Sequence, residues 1–121
     1  MDIIKILIVD DEEAIRSLLK LWLKGYVVLE AGDVASAKQI IQEHSPDLVI
    51  TDLGLPNARG EKLVRWIQSE YNSLRSRAVK IIALSGDNPE LVRPVVMAAG
   101  ADYFVTKPFD PAVLKEVIKG F

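Results

Sequence analysis

Five short apolar runs rich in β-branched residues recur along this chain, and segments with a helical spacing of apolar residues separate them. This alternation is typical of repeated strand–helix–strand units, which form a parallel sheet covered by helices. The sequence predicts strands at 4–9, 26–30, 48–51, 79–84 and 102–105. It predicts helices at 12–24, 34–43, 60–71, 89–99 and 111–119, with 72–78 as a polar loop. We therefore expect one α/β domain built on five parallel strands.

The fourth helix has the least certain start, because Pro94 lacks an amide hydrogen and cannot donate in a helix interior. We expect this segment to be helical at least from Arg93 onward, with Pro94 either in the first turn or at a kink. Such a proline would shorten or bend the helix. Asp33 and Asp110 are the expected N-caps of the second and fifth helices.

A residue that could take part in chemistry follows four of the five predicted strands. Asp10 and Asp11 follow the first strand, Asp52 the third, Ser85 the fourth and Lys107 the fifth. The carboxyl ends of parallel strands meet at one edge of the sheet, where open α/β folds bind their ligands. Carboxylates that lie close together need a cation to offset their repulsion. The pattern predicts a cation-binding site at this edge, although an acidic pair before a helix can also serve only to cap it.

Composition excludes several other classes of protein. The chain has 121 residues, 50% of them hydrophobic, which is one ordinary domain with a real core. Its formal net charge of -2 gives no basic footprint for nucleic acid, so we expect no direct nucleic-acid binding. It has no cysteine, so thiolate metal sites, disulfides and cysteine nucleophiles are excluded. No apolar stretch approaches the roughly 18 residues that a membrane span needs, so we expect a cytoplasmic protein without membrane contact.

Four motifs, each at the end of its own predicted strand, resemble those of one family. They are V-D-D-E at 9–12, D-x-x-L-P at 52–56, S-G at 85–86 and T-K-P-F at 106–109. Together they resemble the response-regulator receiver domain, of the CheY-like superfamily, over nearly the whole chain. The resemblance implies a flavodoxin-like (βα)5 three-layer sandwich with strand order 2-1-3-4-5. It also implies that 1–121 is a single receiver domain. The abrupt final helix suggests excision from a longer response regulator or hybrid kinase, and a free-standing regulator stays open as the alternative.

By this resemblance, Asp52 is the phosphoacceptor of a two-component phosphorelay. It would take a phosphoryl group from a phosphohistidine on a sensor histidine kinase or a histidine phosphotransfer protein. The resemblance implies Mg2+ as cofactor, held by Asp10, Asp11, Asp52 and the backbone carbonyl of Gly54, in the all-oxygen shell that this ion prefers. The domain would promote its own phosphorylation and dephosphorylation without being an enzyme that acts on other substrates.

The resemblance also assigns the residues around the acceptor. Lys107 would contact the acceptor carboxylate and later a phosphoryl oxygen, and Ser85 would bind another phosphoryl oxygen. The peptide bond between Lys107 and Pro108 is expected to be cis. Ser85 and Phe104 are the expected switch residues, and the face formed by the fourth helix, fifth strand and fifth helix would change conformation. That face would reach a downstream effector domain or protein, and a homodimer through it is among the expected partners.

Three rival readings use overlapping features. A phosphatase of the haloacid-dehalogenase type needs a second Asp two residues after the first, where this chain has Glu12. A flavin-binding protein of similar fold would place a phosphate-cradling loop after the first strand, where this chain has acids that would repel the phosphate. A receiver-like interaction module that works without phosphorylation stays open as the alternative function.

Overall fold

The computed structural model describes residues 2–121 and contains one sheet of five parallel strands in the order β2-β1-β3-β4-β5. The strands are β1 Lys5–Val9, β2 Val27–Ala31, β3 Leu48–Asp52, β4 Lys80–Ser85 and β5 Tyr103–Thr106. The α-helices are α1 Glu13–Trp22, α2 Val34–His44, α3 Gly60–Trp66, α4 Pro89–Ala99 and α5 Pro111–Lys119. The predicted fold class and strand order are therefore confirmed.

Two apolar clusters, one on each face of the sheet, explain the three layers. Successive strand residues point to opposite faces, so neighbours such as Leu7 and Ile8 join different clusters. One cluster contains core residues of α2, α3 and α4, and the other contains core residues of α1 and α5. Every residue of β3 is buried, as expected for a central parallel strand covered by helices on both faces. This burial holds the end of β3 in a fixed place.

Side-chain caps begin three of the helices. The carboxylate of Asp33 accepts a hydrogen bond from the Ser36 amide at the start of α2, and that of Asp110 accepts one from the Ala112 amide at the start of α5. Both N-caps were predicted from sequence and are confirmed. The side chain of Asn88 likewise accepts a hydrogen bond from Glu90 and begins α4.

The bounds of α4 agree with the predicted helix at 89–99. The cap at Asn88 and the favoured first-turn position of Pro89 start the helix well before Arg93. Pro94 consequently lies inside an eleven-residue helix and not in its first turn, so the expectation of a shortened helix is wrong, and the bend stays a prediction. The helix continues through Pro94, although this residue cannot donate the hydrogen bond that residue 94 would otherwise make to the preceding turn.

A π-helical turn, which the sequence does not predict, follows α3 without a break. It spans Ile67–Tyr71 and is followed by a 3-10 turn at Asn72–Leu74. The amide of Asn72 donates to the carbonyl of Ile67, five residues earlier, which is the bond that defines a π turn. Beyond it, the Asn72 side chain bonds to both the amide and the carbonyl of Val79, which fixes the chain as it enters β4.

No helix within residues 2–121 is both long and apolar enough to cross a membrane.

Candidate functional site at the carboxyl edge of the sheet

The carboxyl edge of the sheet, where the strands end, carries the residues that the sequence singled out. Asp10 directly follows β1, Asp52 ends β3, Ser85 ends β4 and Lys107 directly follows β5. Pairing of β1 with β3, of β3 with β4 and of β4 with β5 holds these ends in register. The fold thus places residues far apart in the chain at one edge.

One ammonium joins two carboxylates at this edge. The Nζ of Lys107 lies 3.3 Å from Oδ2 of Asp10 and 3.3 Å from Oδ2 of Asp52. The Asp10 side chain is 1% exposed and that of Asp52 is 11% exposed, whereas the Lys107 side chain is 23% exposed. Two buried acids therefore share one partly buried cation, which is an arrangement of high local charge.

Every polar group of Asp10 has a partner. Its amide donates to the carbonyl of Ala31, its Oδ1 accepts from the amide of Glu12, and its carbonyl accepts from Nη1 of Arg16 at 2.6 Å. Burial raises the pKa of Asp10, and the nearby charge of Asp52 adds to that increase. The Glu12 amide and Lys107 oppose the increase without cancelling it, so the pKa stays above its ordinary value.

At Asp10 burial dominates the shift of the pKa, whereas at Lys107 the neighbouring acids together dominate it. Burial by itself lowers the pKa of Lys107, but the charges of Asp52 and Asp10 and the hydrogen bonds to them outweigh burial and raise it. Lys107 therefore stays charged at neutral pH and offsets both acids. The peptide bond between Lys107 and Pro108 is cis.

A second group of acids lies on the turn between β1 and α1. One carboxylate oxygen from each of Asp10, Asp11 and Glu12 lies within 4.8 Å of the others, and Asp11 and Glu12 are exposed. Oxygen donors alone, most of them carboxylates, are the set that Mg2+ prefers, so these residues fit that ion. Sequence analysis had not included Glu12, although its place directly after two acids was a signal.

Asp52 and Gly60 lie in very close contact through the backbone. A Cβ atom at Gly60 would lie 2.3 Å from the carbonyl oxygen of Asp52 and 2.8 Å from Cα of Leu53, so only glycine fits there. The Gly60 amide also donates to the carbonyl of Leu53. On the other side, the Gly54 amide lies 3.3 Å from Oδ1 of Asp52. The start of α3 therefore supports the backbone that presents the Asp52 carboxylate.

Ser85, the last residue of β4, is buried at 2% exposure. Its Oγ accepts a hydrogen bond from the Asp87 amide at 3.0 Å, and its carbonyl accepts one from the Lys107 amide. A Cβ atom at Gly86 would lie 3.9 Å from Cβ of Lys107, so the loop after β4 lies beside the lysine. Ser85 is thus held next to the site, with its hydroxyl bonded to its own loop.

The two aromatic residues of β5 point in opposite directions. Phe104 is buried in the cluster beneath α4, and the guanidinium of Arg93 lies 5.4 Å from its ring centroid. Tyr103 keeps 43% of its surface exposed. The inward aromatic named in the sequence analysis therefore packs against a helix of the face that was expected to change.

The family is established by comparison with known proteins. The model of the response regulator receiver domain matches residues 6–119. The chain therefore belongs to the response regulator receiver domain family, the signalling receivers of two-component systems. Its class is that of a signalling domain and not of a classical enzyme.

Individual relatives agree with this assignment. The chain is 38% identical over 111 residues to the aerobic respiration control protein ArcA of Escherichia coli, covering 90% of this chain and 44% of ArcA. It is 37% identical over 108 residues to the response regulator GtcR of Aneurinibacillus migulanus, covering 88% of this chain and 42% of GtcR. The chain thus spans less than half the length of these relatives.

Solved structures share the fold over their full lengths. A putative response regulator from Chloroflexus aurantiacus has a TM-score of 0.88 at 28% identity, covering 98% of this chain and 97% of the other. The chemotaxis response regulator CheY4 of Vibrio cholerae has a TM-score of 0.85 at 27% identity, covering 98% of both chains. The CheY-like fold inferred from sequence is therefore confirmed.

Proposed function

We propose that this domain receives a phosphoryl group on Asp52, in a Mg2+-dependent reaction, from a phosphohistidine of a sensor histidine kinase or histidine phosphotransfer protein. The observation that carries the proposal is the ammonium of Lys107, 3.3 Å from the carboxylates of both Asp52 and Asp10. Phosphoryl transfer depends chiefly on positioning and on neutralising charge, and this edge of the sheet is built for both.

Asp52 is the better nucleophile of the two buried acids because its carboxylate is the more accessible. The Asp52 side chain is 11% exposed and that of Asp10 is 1% exposed. One Asp52 oxygen would form a bond to phosphorus while the bond between phosphorus and the histidine nitrogen breaks, and the imidazole nitrogen keeps the bonding electron pair. The product is an acyl phosphate, which water can later hydrolyse.

Two residues would bind the phosphoryl oxygens. Lys107 already lies beside Oδ2 of Asp52, so a phosphoryl group placed there would come within reach of its ammonium. The Ser85 hydroxyl accepts a hydrogen bond from the Asp87 amide, and its own hydrogen is free to donate. Ser85 could therefore bind a phosphoryl oxygen without first giving up its present hydrogen bond.

The acidic cluster would hold the cofactor. Asp10, Asp11 and Asp52, with the carbonyl of Gly54, are the proposed ligands of Mg2+, which when bound would offset the negative charge that collects on the phosphoryl oxygens. Glu12 lies beside Asp10 and Asp11 in the acidic turn, where its carboxylate could bind a water of the ion's shell. The chain's own acids thus select a hard cation.

The response to phosphorylation would involve Ser85 and Phe104. Movement of Ser85 towards the phosphoryl group would shift the loop after β4, which leads directly into α4. Phe104 packs beneath α4 and against Arg93, so a shift of that helix would change the space around the ring. We propose that this biases an existing equilibrium at the face formed by α4, β5 and α5.

Partners follow from the same proposal. The relatives named above include an aerobic respiration control protein and are more than twice as long as the matched region, so an effector domain or protein is the expected receiver of the signal. A homodimer through the face of α4, β5 and α5, the absence of direct nucleic-acid binding, and a cytoplasmic location belong to this proposal as well.

The decisive experiment treats the protein with acetyl phosphate, with and without Mg2+, and measures the intact mass. We expect one base-labile phosphoryl group per chain that requires Mg2+ and is lost in Asp52→Asn. Asp10→Asn serves as the matched control, because it removes the neighbouring carboxylate but leaves the acceptor, and it should still be labelled, more slowly.

A labelled Asp52→Asn protein would refute the choice of acceptor. Absence of any label on the wild-type protein, with Mg2+ binding verified by calorimetry, would favour the alternative function, a receiver-like interaction module that works without phosphorylation.

A further inference from the structure

We propose that Arg16 is a positioning residue that holds the acidic turn between β1 and α1 in the geometry needed to bind a divalent cation. The inference rests on the proposed function and adds a residue of α1 that contacts neither Asp52 nor Lys107 through any hydrogen bond in residues 2–121. Its guanidinium instead reaches the backbone of Asp10.

The Arg16 side chain links three parts of the fold. Its Nη1 donates to the carbonyl of Asp10 at 2.6 Å, and its Nε donates to Oε1 of Glu30 in β2 at 3.3 Å. A Cβ atom at Gly32 would lie 3.7 Å from Nη1, so the guanidinium also lies against the turn after β2. The side chain is only 19% exposed, and arginine's fork of donors is rigid. Arg16 therefore ties α1, the acidic turn and β2 together.

The hydrogen bond to Asp10 acts on the next residue through the peptide plane. The carbonyl of Asp10 and the amide of Asp11 belong to one planar unit, so holding that oxygen fixes the plane from which the Asp11 side chain extends. Asp11 is exposed and lies between Asp10 and Glu12 in the acidic cluster. Without Arg16, this plane could rotate and the Asp11 carboxylate would sample orientations away from the other two.

Arg16 also opposes the electrostatic repulsion among the three carboxylates of the acidic turn. Three carboxylates within 4.8 Å repel one another, and this repulsion favours spreading of the turn. Arg16 opposes spreading with a strong hydrogen bond to a backbone oxygen, while Glu30 occupies its Nε. The acids thus remain close together, and within residues 2–121 Arg16 pairs with Glu30 and not with Asp11 or Glu12.

Calorimetric titration with Mg2+ alone, with no phosphodonor, tests this role. We expect Arg16→Met to weaken Mg2+ binding about tenfold, the lower end of the effect of removing a residue that orients metal ligands. Lys20→Met is the matched control, since Lys20 lies on the same helix and pairs with Glu30 at 3.8 Å. This control should bind Mg2+ as the wild type does. Arg16→Lys, which can still reach the Asp10 carbonyl, should recover part of the lost affinity.

Thermal unfolding of the same variants separates positioning from simple stabilisation. Arg16→Met folded at the assay temperature, with wild-type affinity for Mg2+, would overturn the proposal even if its Tm were lower. If Arg16→Met does not fold, Arg16→Gln decides, because its shorter side chain cannot bond both the Asp10 carbonyl and Glu30: wild-type affinity for Mg2+ in that variant, at a lowered Tm, also overturns the proposal. A wild-type protein that binds no Mg2+ would instead refute the cofactor assignment, and the role of Arg16 would fall with it.

Discussion

At the amino edge of the sheet, where the strands begin, Asp47 and Asp102 accept hydrogen bonds from backbone amides, whereas at the carboxyl edge Asp10 and Asp52 share one ammonium. Oδ2 of Asp47 accepts from the amides of Ile4 and Lys5 at 2.9 and 2.8 Å. Oδ2 of Asp102 accepts from the Ile81 amide at 2.8 Å.

The partners of these carboxylates distinguish acids that stabilise the fold from acids that could take part in chemistry. The amino-edge carboxylates accept hydrogen bonds from backbone amides and fix the starts of strands. A ligand could take the place of those amides only by disrupting the fold. At the carboxyl edge, one oxygen of Asp10 and of Asp52 also accepts from a nearby amide, but the other oxygen of each faces the flexible side chain of Lys107, which a cation or a phosphoryl group can replace or join. The partner of an acid, and not the residue type, indicates its role.

Asp47→Ala should give the largest loss of stability in this comparison. It removes two charge-assisted bonds to the backbone and the ion pair with Arg77 at 3.3 Å. We expect the free energy of unfolding to fall by about 2 kcal/mol, measured by urea titration, because amides at the start of β1 lose their acceptor. Labelling by acetyl phosphate should be unchanged once the protein is folded. Loss of labelling in the folded variant would contradict the division between the two edges.

Lys107→Ala should lower the stability less than Asp47→Ala does, by an amount that depends on whether Mg2+ is present. Removing the ammonium leaves the carboxylates of Asp10 and Asp52 facing each other, and we expect a loss of about 1–2 kcal/mol without Mg2+ at neutral pH. Added Mg2+ should raise the Tm of this variant more than that of the wild type, because the freed acids bind the cation more tightly. Differential scanning calorimetry in both conditions measures this. An equal Mg2+ effect on both proteins would show that Lys107 does not compete with a cation.

Asp33→Ala should have the smallest effect and sharpens the comparison, because Asp33 lies at the carboxyl edge but is bonded to a backbone amide. The hydrogen bonds from Ser36, its backbone amide first, lower the pKa of Asp33 below the ordinary value of 3.8. A lowered pKa means that the stabilisation is present above pH 3.8 and is lost as pH falls through the folded value.

We therefore expect Asp33→Ala to lower the Tm by a few degrees at neutral pH, and the difference from wild type to shrink in acid. Asp33→Asn is the control, since its amide oxygen can still cap the helix without a charge. Labelling should be normal in both variants. A difference in Tm that grows as pH falls would show that the carboxylate is not stabilised by its cap.

The strands and the site edge follow from sequence because their signals are strong and local. Each observed strand lies within about one residue of its predicted range, since buried β-branched runs admit few other structures. The meeting of Asp10, Asp52 and Lys107 follows from topology, because parallel strands deliver their ends to one edge. Which acid accepts the phosphoryl group stays a prediction.

Features that depend on tertiary contacts could not be predicted from the sequence. Pro94 lies inside α4 although it cannot donate to the preceding turn, because the helix is held by the burial of Val96 and Ala99 in the core. The bond from Arg16 to the Asp10 carbonyl joins a helix to a turn through a backbone atom, which no spacing of side chains reveals. The place of Glu12 directly after two acids was a signal for the cluster, but the orientation of its side chain depends on the turn and could not be predicted.

The π turn at Ile67–Tyr71 has a consequence for how this chain aligns with others. A bond that spans five residues where an α-helix spans four accommodates one additional residue within the same helical segment. A related sequence whose third helix is α-helical throughout should therefore align with a gap of one residue inside 67–71, and not in the loop beyond. Deleting one residue there should convert the segment to a regular helix and leave Asn72 in register with Val79, so the third helix would keep its anchor to the fourth strand.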